Sequence, residues 1–153
     1  MAHKHRYLIL TGLVVLFLII RLSILVTSID KIYFDDELYR GNIAKELIVG
    51  PVLSFFDYQR SEYEGGSLVI GVLAVPFFLL FGETVLSLKL VALFFSLAAF
   101  ITWYLFLDKF FHRWVAIVAS LLWIFSPSIY TKWGLCSYGA YYELNFFIIL
   151  AIY

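Results

Sequence analysis

Long apolar runs separated by short polar segments dominate the hydrophobic pattern of this chain. A helix needs about 20 apolar residues to cross the hydrocarbon core of a membrane, and runs of about this length recur here. The pattern therefore predicts an all-α integral membrane protein built as a multi-span helical bundle. The predicted spans are about 7–29, 85–107 and 114–130, followed by a truncated span at 144–153.

A shorter apolar run, 67–81, contains Pro76 and Gly71 and is flanked by Gly65, Gly66 and Gly82. At 1.5 Å per residue it reaches roughly 22 Å, which is short for a span. If it dips into the membrane and returns, the basic turn with Lys109, His112 and Arg113 is cytoplasmic, where positively charged loops are normally found. We therefore favour a membrane-dipping helix over a short spanning helix.

Composition strengthens the membrane assignment. The chain is 63% hydrophobic and 14% charged, whereas soluble domains carry about 25% charged residues. The formal net charge is zero, so the sequence shows no basic footprint for nucleic acid. The basic start ahead of residue 7 predicts a cytoplasmic N-terminus for a multi-pass protein, in the plasma membrane if the source is prokaryotic. A signal peptide is the alternative for 7–29, disfavoured by its length and by Arg21.

The domain organisation predicted from this pattern is simple. Residues 1–153 form a single membrane domain, in which we find no internal repeat or linker. The last apolar run covers only about half the thickness of a membrane. We therefore expect the sequence to be an N-terminal fragment of a longer protein, inactive by itself.

The outer loop, 30–66, predicts a short juxtamembrane helix. Acidic residues open this helix at Asp35, and Gly50 followed by Pro51 is a typical stop signal. Helical spacing places several apolar residues on one side, which makes the helix amphipathic. These residues are Tyr39, Ile43, Ala44, Leu47 and Ile48.

Three carboxylates, Asp35, Asp36 and Glu37, stand at the start of this helix. They have an ordinary structural interpretation as a cap, as partners of the helix dipole and as an ion pair between Asp36 and Arg40. Their clustering also allows chemistry. Repulsion between neighbouring carboxylates raises one pKa, which suits a general base, and hard oxygen ligands could bind a divalent cation. The residues alone leave both interpretations open.

Several stretches occur in a recognisable order. After the first span, Asp36-Glu37 opens a helix that ends near Gly50, and "DYQRSEYEGGSL" follows at the end of the loop. Then come "PFFLLFGETVLSLKL", with Lys89 opening the next span, "FSPSIY" and "YGAYYE". In this order the chain resembles the GT-C superfamily of membrane glycosyltransferases, over roughly residues 7–153. Within that superfamily it is similar to the bacterial protein O-mannosyltransferase-like (dolichyl-phosphate-mannose-protein mannosyltransferase) family.

The resemblance implies a GT-C-like N-terminal module and an enzyme. Members transfer a sugar from a polyprenyl-phosphate donor to an acceptor glycan, lipid or protein on the outer face of the bilayer. Asp36 matches the position of the catalytic base best, with Glu37 as the supporting acid and Asp35 as the alternative if the register shifts by one. No cofactor is firmly implied, and a divalent cation remains an option.

The resemblance also implies which residues bind substrate. In relatives a cation often precedes the motif that ends in glutamate, but "LCSYGA" has none, so Lys132 or Arg60 would have to replace it. The source of the phosphate-binding cation therefore stays open. The residues assigned to substrate binding are Tyr58, Gln59, Tyr63, Glu64, Lys132, Tyr142 and Glu143.

Two other classes of protein compete with the enzyme. In a transporter or flippase-like protein, the short 67–81 helix would be a broken helix at a midplane site. A non-catalytic membrane subunit is the third hypothesis. For the remaining polar residues we expect ordinary roles: Arg21 and Lys89 extend their charges toward the membrane surface, and Cys136 is incidental.

Overall fold

The computed structural model describes residues 2–32, 35–54, 57–58, 67–139 and 141–153, with side chains from residue 6 onward. All regular secondary structure in these ranges is α-helical, which agrees with the predicted all-α class. The helices are α1 (Ala2–Ser28), α2 (Asp35–Val49), α3 (Ser67–Phe81), α4 (Val85–Phe110), α5 (Arg113–Ile124), α6 (Ser128–Trp133) and α7 (Tyr142–Ile152).

Two of the described helices are long and apolar enough to cross a membrane, judged by length and composition. They are the segment Arg6–Ser28 of α1 and all of α4, Val85–Phe110. At 1.5 Å per residue, the 26 residues of α4 measure about 39 Å. The helices α3, α5 and α7 are apolar but shorter.

One apolar core joins α1, α4 and α5. The rings of Phe17 and Phe100 stack with their centroids 4.9 Å apart, and Leu13, Tyr104 and Ala116 are buried around them. Arg6 on α1 pairs with Asp108 near the end of α4. The start of α1 and the end of α4 therefore lie together at one end of the bundle.

A second core joins α2, α3 and α4 at the opposite end of α4. Its buried members include Ala44, Ala74 and Leu88. Gly71 on α3 allows a close approach, because a Cβ added there would lie only 2.5 Å from Ile43 Cγ2. The small residue lets α2 pack tightly on α3.

The predicted helix in the outer loop is confirmed at Asp35–Val49, but its buried face differs from the predicted apolar stripe. Ile43 and Ala44 are buried as expected, whereas Tyr39 is only half-buried. The charged residues Glu37 and Arg40 are buried instead. The reason is that α2 packs against α3 and α4 and directs both side chains into polar contacts described below.

The apolar run predicted as one span at 114–130 forms two helices. Helix α5 ends at Ile124, and α6 begins at Ser128 after Pro127. Proline disfavours helical backbone at the residue before it, here Ser126. Arg21 then donates to the carbonyl oxygen of Trp123 at 3.1 Å, in the last turn of α5.

The expectation that Arg21 and Lys89 extend their charges toward the membrane surface is wrong. Their exposed fractions are 1% and 0%. Both side chains lie inside the bundle because oxygen atoms from other helices surround their charged groups.

Candidate functional site

A buried ion pair fixes the start of α2 to the start of α4. Lys89 Nζ lies 2.5 Å from Glu37 Oε2, and neither side chain is exposed to solvent. The ammonium also lies 3.5 Å from Cys136 Sγ. Removing two charges from water is costly, so such a pair persists only where further hydrogen bonds complete it.

The segment after α6 supplies those hydrogen bonds. Ser137 N donates to Glu37 Oε1 at 3.1 Å, and Ser137 Oγ donates to the carbonyl oxygen of Leu88 at 2.9 Å. Residues far apart in sequence therefore meet at one point, which we call the Glu37–Lys89 joint and which consists of Glu37, Lys89 and Ser137. The joint therefore connects α2, α4 and the segment between α6 and α7.

Arg40 extends the contact one turn further along α2. Its Nη1 donates to the carbonyl oxygen of Ser137 at 3.3 Å, and its guanidinium lies over the ring of Tyr138, 5.7 Å from the centroid. The side chain is 95% buried, since its exposed fraction is 5%. Arg40 therefore places a cation beside the segment between α6 and α7.

Asp36 is half-buried in the same turn of α2 as Glu37. Burial raises the pKa of the Tyr138 hydroxyl to about 12, and the negative charge of Asp36 contributes to that rise. Asp36 thus lies electrostatically close to Tyr138, with Arg40 on the same helix. A carboxylate, a phenol and a guanidinium meet at this surface.

The carboxylate cluster does contain a raised pKa, but its cause differs from the predicted one. Burial raises the pKa of Glu37, while Lys89, Ser137 N–H and Arg40 oppose the rise. Repulsion between neighbouring carboxylates is not the main cause. Because the carboxylate of Glu37 is buried against Lys89 and Ser137, its geometry fits a positioning role rather than direct contact with a substrate.

Glu143 is the second buried carboxylate near the joint. Only 3% of it is exposed, and its Oε1 has no hydrogen-bond partner within the described residues. Glu143 lies one residue before the predicted 144–153 span, and burial raises its pKa, with Arg40 opposing the rise and Glu37 supporting it. The electrostatic influence of both residues places Glu143 close to the joint.

Three other predicted substrate-binding residues lie in different surroundings. Tyr58 is 2% exposed, and its hydroxyl accepts hydrogen bonds from Val52 N and Leu53 N at 3.1 and 3.3 Å. The hydroxyl thus closes a turn of its own loop, and contact of Tyr58 with a sugar stays a prediction. Tyr142 Oη donates to the carbonyl oxygen of Tyr130 at 3.1 Å. Lys132 is half-buried near the end of α6.

Part of the predicted site lies outside the described residues. This holds for Gln59, Arg60, Tyr63 and Glu64. Among the residues that are described, no three His, Cys, Asp or Glu side chains group in a way that could hold a metal ion. The site that can be built from the structure therefore consists of Asp36, the joint, Arg40, Tyr138 and Glu143.

Sequence reasoning missed Lys89, Arg40 and Ser137 as members of the site. A lysine inside an apolar run is itself a signal, since ionisable residues in such segments usually have a partner. The partner could not be read from the pattern, because Glu37 is 52 positions away. Ser137 carries no sequence signal for its contacts.

An aromatic cavity of about 660 Å³ lies next to this site, between α4, α5 and α7. Its lining includes Tyr141 and Tyr142 at the start of α7, Leu107 on α4 and Val115 on α5. Ring contacts connect the cavity to Tyr138, next to the joint. The rings of Trp133 and Tyr141 stack with their centroids 4.8 Å apart, and the rings of Tyr141 and Tyr138 meet edge to face at 5.3 Å. A cavity with an apolar lining and few polar groups suits an apolar or amphiphilic ligand.

The fold and the site define a helical protein with two helices of membrane-crossing length and a charged joint beside an aromatic cavity. Comparison of the chain with family models, curated proteins and solved structures found no match. The function must therefore be argued from the geometry of the site and from the resemblance in motif order.

Proposed function

We propose that this chain is the N-terminal module of a membrane glycosyltransferase that uses a polyprenyl-phosphate sugar donor. One observation carries the proposal. The helical turn that the GT-C resemblance assigns to catalysis meets the segment that precedes "YGAYYE", because Ser137 N donates to Glu37 at 3.1 Å. Asp36, the assigned base, lies in the same helical turn as Glu37 and is only half-buried.

A membrane position is part of this proposal. Two helices have the length and composition to cross a bilayer, and α1 exposes apolar side chains such as Leu8, Ile19 and Val26. Exposed apolar side chains along a helix of this length are suited to contact with lipid. In the proposed multi-span topology, with the N-terminus in the cytoplasm, the Glu37–Lys89 joint lies at the outer surface.

The reaction would be a displacement at the anomeric carbon of the donor sugar. Asp36 accepts the proton of the acceptor hydroxyl while the acceptor oxygen bonds to the anomeric carbon. The bond from that carbon to the lipid phosphate oxygen breaks, and the polyprenyl phosphate leaves as an anion. Glu37 positions Asp36 by fixing the helical turn to Lys89. The aromatic cavity offers an apolar surface for the lipid chain of the donor.

The direct test uses the full-length protein in liposomes with radiolabelled polyprenyl-phosphate hexoses and pentoses. We expect sugar release from the lipid in the wild type. A general base contributes about 10²- to 10⁴-fold, so Asp36→Asn should lower turnover by that factor without loss of donor binding. Asp30→Asn is the matched control, since Asp30 is an exposed acid of the same outer loop.

Two results would contradict the proposal: turnover in Asp36→Asn equal to that of the wild type, or a wild-type protein that neither binds nor turns over any donor.

Labelling of Pro76→Cys tests the competing transporter hypothesis. Pro76 is exposed on α3. If 67–81 lines a transport site at the midplane of the membrane, a cysteine at that position should react with water-soluble thiol reagents.

A further inference from the structure

A basic cluster occupies the end of the bundle opposite the Glu37–Lys89 joint. Asp108 is shared between two arginines, with Oδ2 2.5 Å from Arg6 Nε and Oδ1 3.7 Å from Arg113 Nε. Lys109 lies beside them, with its Nζ donating to the carbonyl oxygen of Tyr153 at 3.0 Å. One carboxylate cannot neutralise three cations, so this end, which we call the basic end, carries excess positive charge.

A cavity of about 630 Å³ opens at the basic end, between α1 and the α4–α5 turn. Its wall has two chemical halves. Asp108, His112 and Arg113 form the ionic half, and the apolar half is formed by Ile9, Phe111, Trp114 and Ile117. Charged and apolar groups that share one cavity match an amphiphile better than a small inorganic ion.

His112 has a defined hydrogen-bond arrangement in this wall. Its Nδ1 accepts from the backbone N–H of Trp114 at 3.2 Å. In the neutral imidazole the proton is therefore on Nε2, which is left as a donor. The side chain of Arg113 is 38% exposed, and the contact that it makes with Asp108 among the described residues is long, at 3.7 Å. Two donors thus stand side by side at the mouth of the cavity.

The surroundings of the cavity are strongly apolar although they are exposed. Phe111 and Trp114 have exposed fractions of 65% and 69%. Aromatic residues with this exposure are typical of the interface between lipid headgroups and hydrocarbon. Excess positive charge next to such residues favours a negatively charged lipid surface.

We propose that the basic end binds an anionic phospholipid. The phosphate accepts hydrogen bonds from Arg113 and His112, and an acyl chain lies along Ile9 and Ile117. The excess positive charge selects an anionic lipid over a zwitterionic one, and the apolar wall selects a lipid over free phosphate. This site rests on the membrane placement proposed above and not on the transfer chemistry.

The experiment measures lipid binding to the purified full-length protein by native mass spectrometry, with no sugar donor present. Phosphatidylglycerol and phosphatidylcholine with identical chains are compared, and we expect a several-fold preference for phosphatidylglycerol that weakens with salt. Arg113→Gln should reduce that preference about fivefold. Lys45→Gln is the matched control, because Lys45 is a half-exposed cation on α2 that pairs with Glu83, and it should leave the preference unchanged.

A second readout locates the lipid. Brominated phosphatidylglycerol should quench the fluorescence of Trp114, and the quenching should drop in Trp114→Phe but persist in Trp133→Phe, since Trp133 lies on α6 at the other end. Equal binding of both lipids, an unchanged preference in Arg113→Gln, or quenching that is insensitive to Trp114→Phe would overturn the proposal. Full competition by inorganic phosphate would also overturn it, because the site would then be a simple anion site. If Arg113→Gln misfolds, the salt dependence of the lipid preference and the quenching of Trp114 still test the proposal.

Discussion

Lys89 and Arg21 are both cations inside the bundle, and the chain stabilises them in different ways. Lys89 has a full counter-charge, because Glu37 Oε2 lies 2.5 Å from its ammonium. Arg21 is held by neutral oxygens: Thr131 Oγ1 at 2.6 Å, and Ser126 Oγ and the carbonyl oxygen of Trp123 at 3.1 Å each. Its guanidinium also lies 5.4 Å from the centroid of the Phe17 ring.

This difference indicates that the two buried cations have different structural roles. The Arg21 contacts involve the last turn of a helix, where carbonyl groups carry partial negative charge and attract cations. They stabilise the break between α5 and α6, a local feature of the fold. The Glu37–Lys89 joint instead connects three segments and determines where Asp36 stands. A compact ammonium on a flexible stem suits a single strong pair, whereas the guanidinium fork suits several neutral acceptors.

The largest expected effect comes from removing the counter-charge of Lys89. Glu37→Leu leaves the ammonium buried and unpaired, so the free energy of unfolding should fall by about 3–5 kcal/mol. Denaturant titration in detergent micelles measures this change. In the double variant with Glu37→Leu and Lys89→Met most of the loss should be recovered, since two apolar side chains replace the pair.

A surface pair of the same two residue types provides the control. Lys45 Nζ lies 3.7 Å from Glu83 Oε2, and both side chains are almost half exposed. Glu83→Leu should change the free energy of unfolding by no more than about 1 kcal/mol. Equal losses in Glu37→Leu and Glu83→Leu would show that burial does not distinguish the joint.

An intermediate effect is expected at the Arg21 site. Thr131→Val removes the shortest of three hydrogen bonds but leaves Ser126 and Trp123 in place. A hydrogen bond to a charged group contributes about 1.5–3 kcal/mol, so the free energy of unfolding should fall by that amount. Thr102→Val is the control, because Thr102 Oγ1 donates only to carbonyls of its own helix. If Thr131→Val lowered the free energy of unfolding more than Glu37→Leu, the expected order of the two cation sites would be wrong.

The smallest effect concerns pH and Glu143, a buried acid whose Oε1 has no partner among the described groups. Burial raises its pKa above the reference value of 4.5, so the unfolded chain loses this proton at a lower pH than the folded chain. The contribution of Glu143 to the free energy of unfolding is therefore fully present below about pH 4.5 and is lost as the pH rises through the raised pKa. Thermal unfolding midpoints over roughly pH 4–8 should decrease with a shallower slope in Glu143→Gln than in the wild type.

Glu46→Gln provides the control for this measurement, because Glu46 is only half-buried on α2. Its slope should match that of the wild type. An unchanged slope in Glu143→Gln would mean that the Glu143 carboxyl does not bind its proton more tightly in the folded chain. Glu37, whose pKa is also raised by burial, should contribute to the slope that remains in that variant.

The helical elements were largely predictable from the sequence. Acidic residues and Gly50 define α2 at Asp35–Val49, and the apolar run at 67–81 is α3, Ser67–Phe81. Helix α4 starts at Val85, as predicted, and reaches Phe110. These features are local, because start signals, stop signals and apolar runs act within a few turns of one helix.

The contacts inside the bundle were decided by tertiary structure alone. Arg21 contacts Thr131, 110 positions away, and Glu37 contacts Ser137, 100 positions away. Such contacts depend on how helices pack, and the hydrophobic pattern shows only that a helix has an apolar face. The sequence thus determined an all-helical chain with its candidate catalytic acids on one loop helix, whereas packing decided that Glu37 is buried against Lys89 while Asp36 stays partly exposed. The physical reason is that hydrogen bonds and desolvation act over a few ångströms, at distances that only the folded chain establishes.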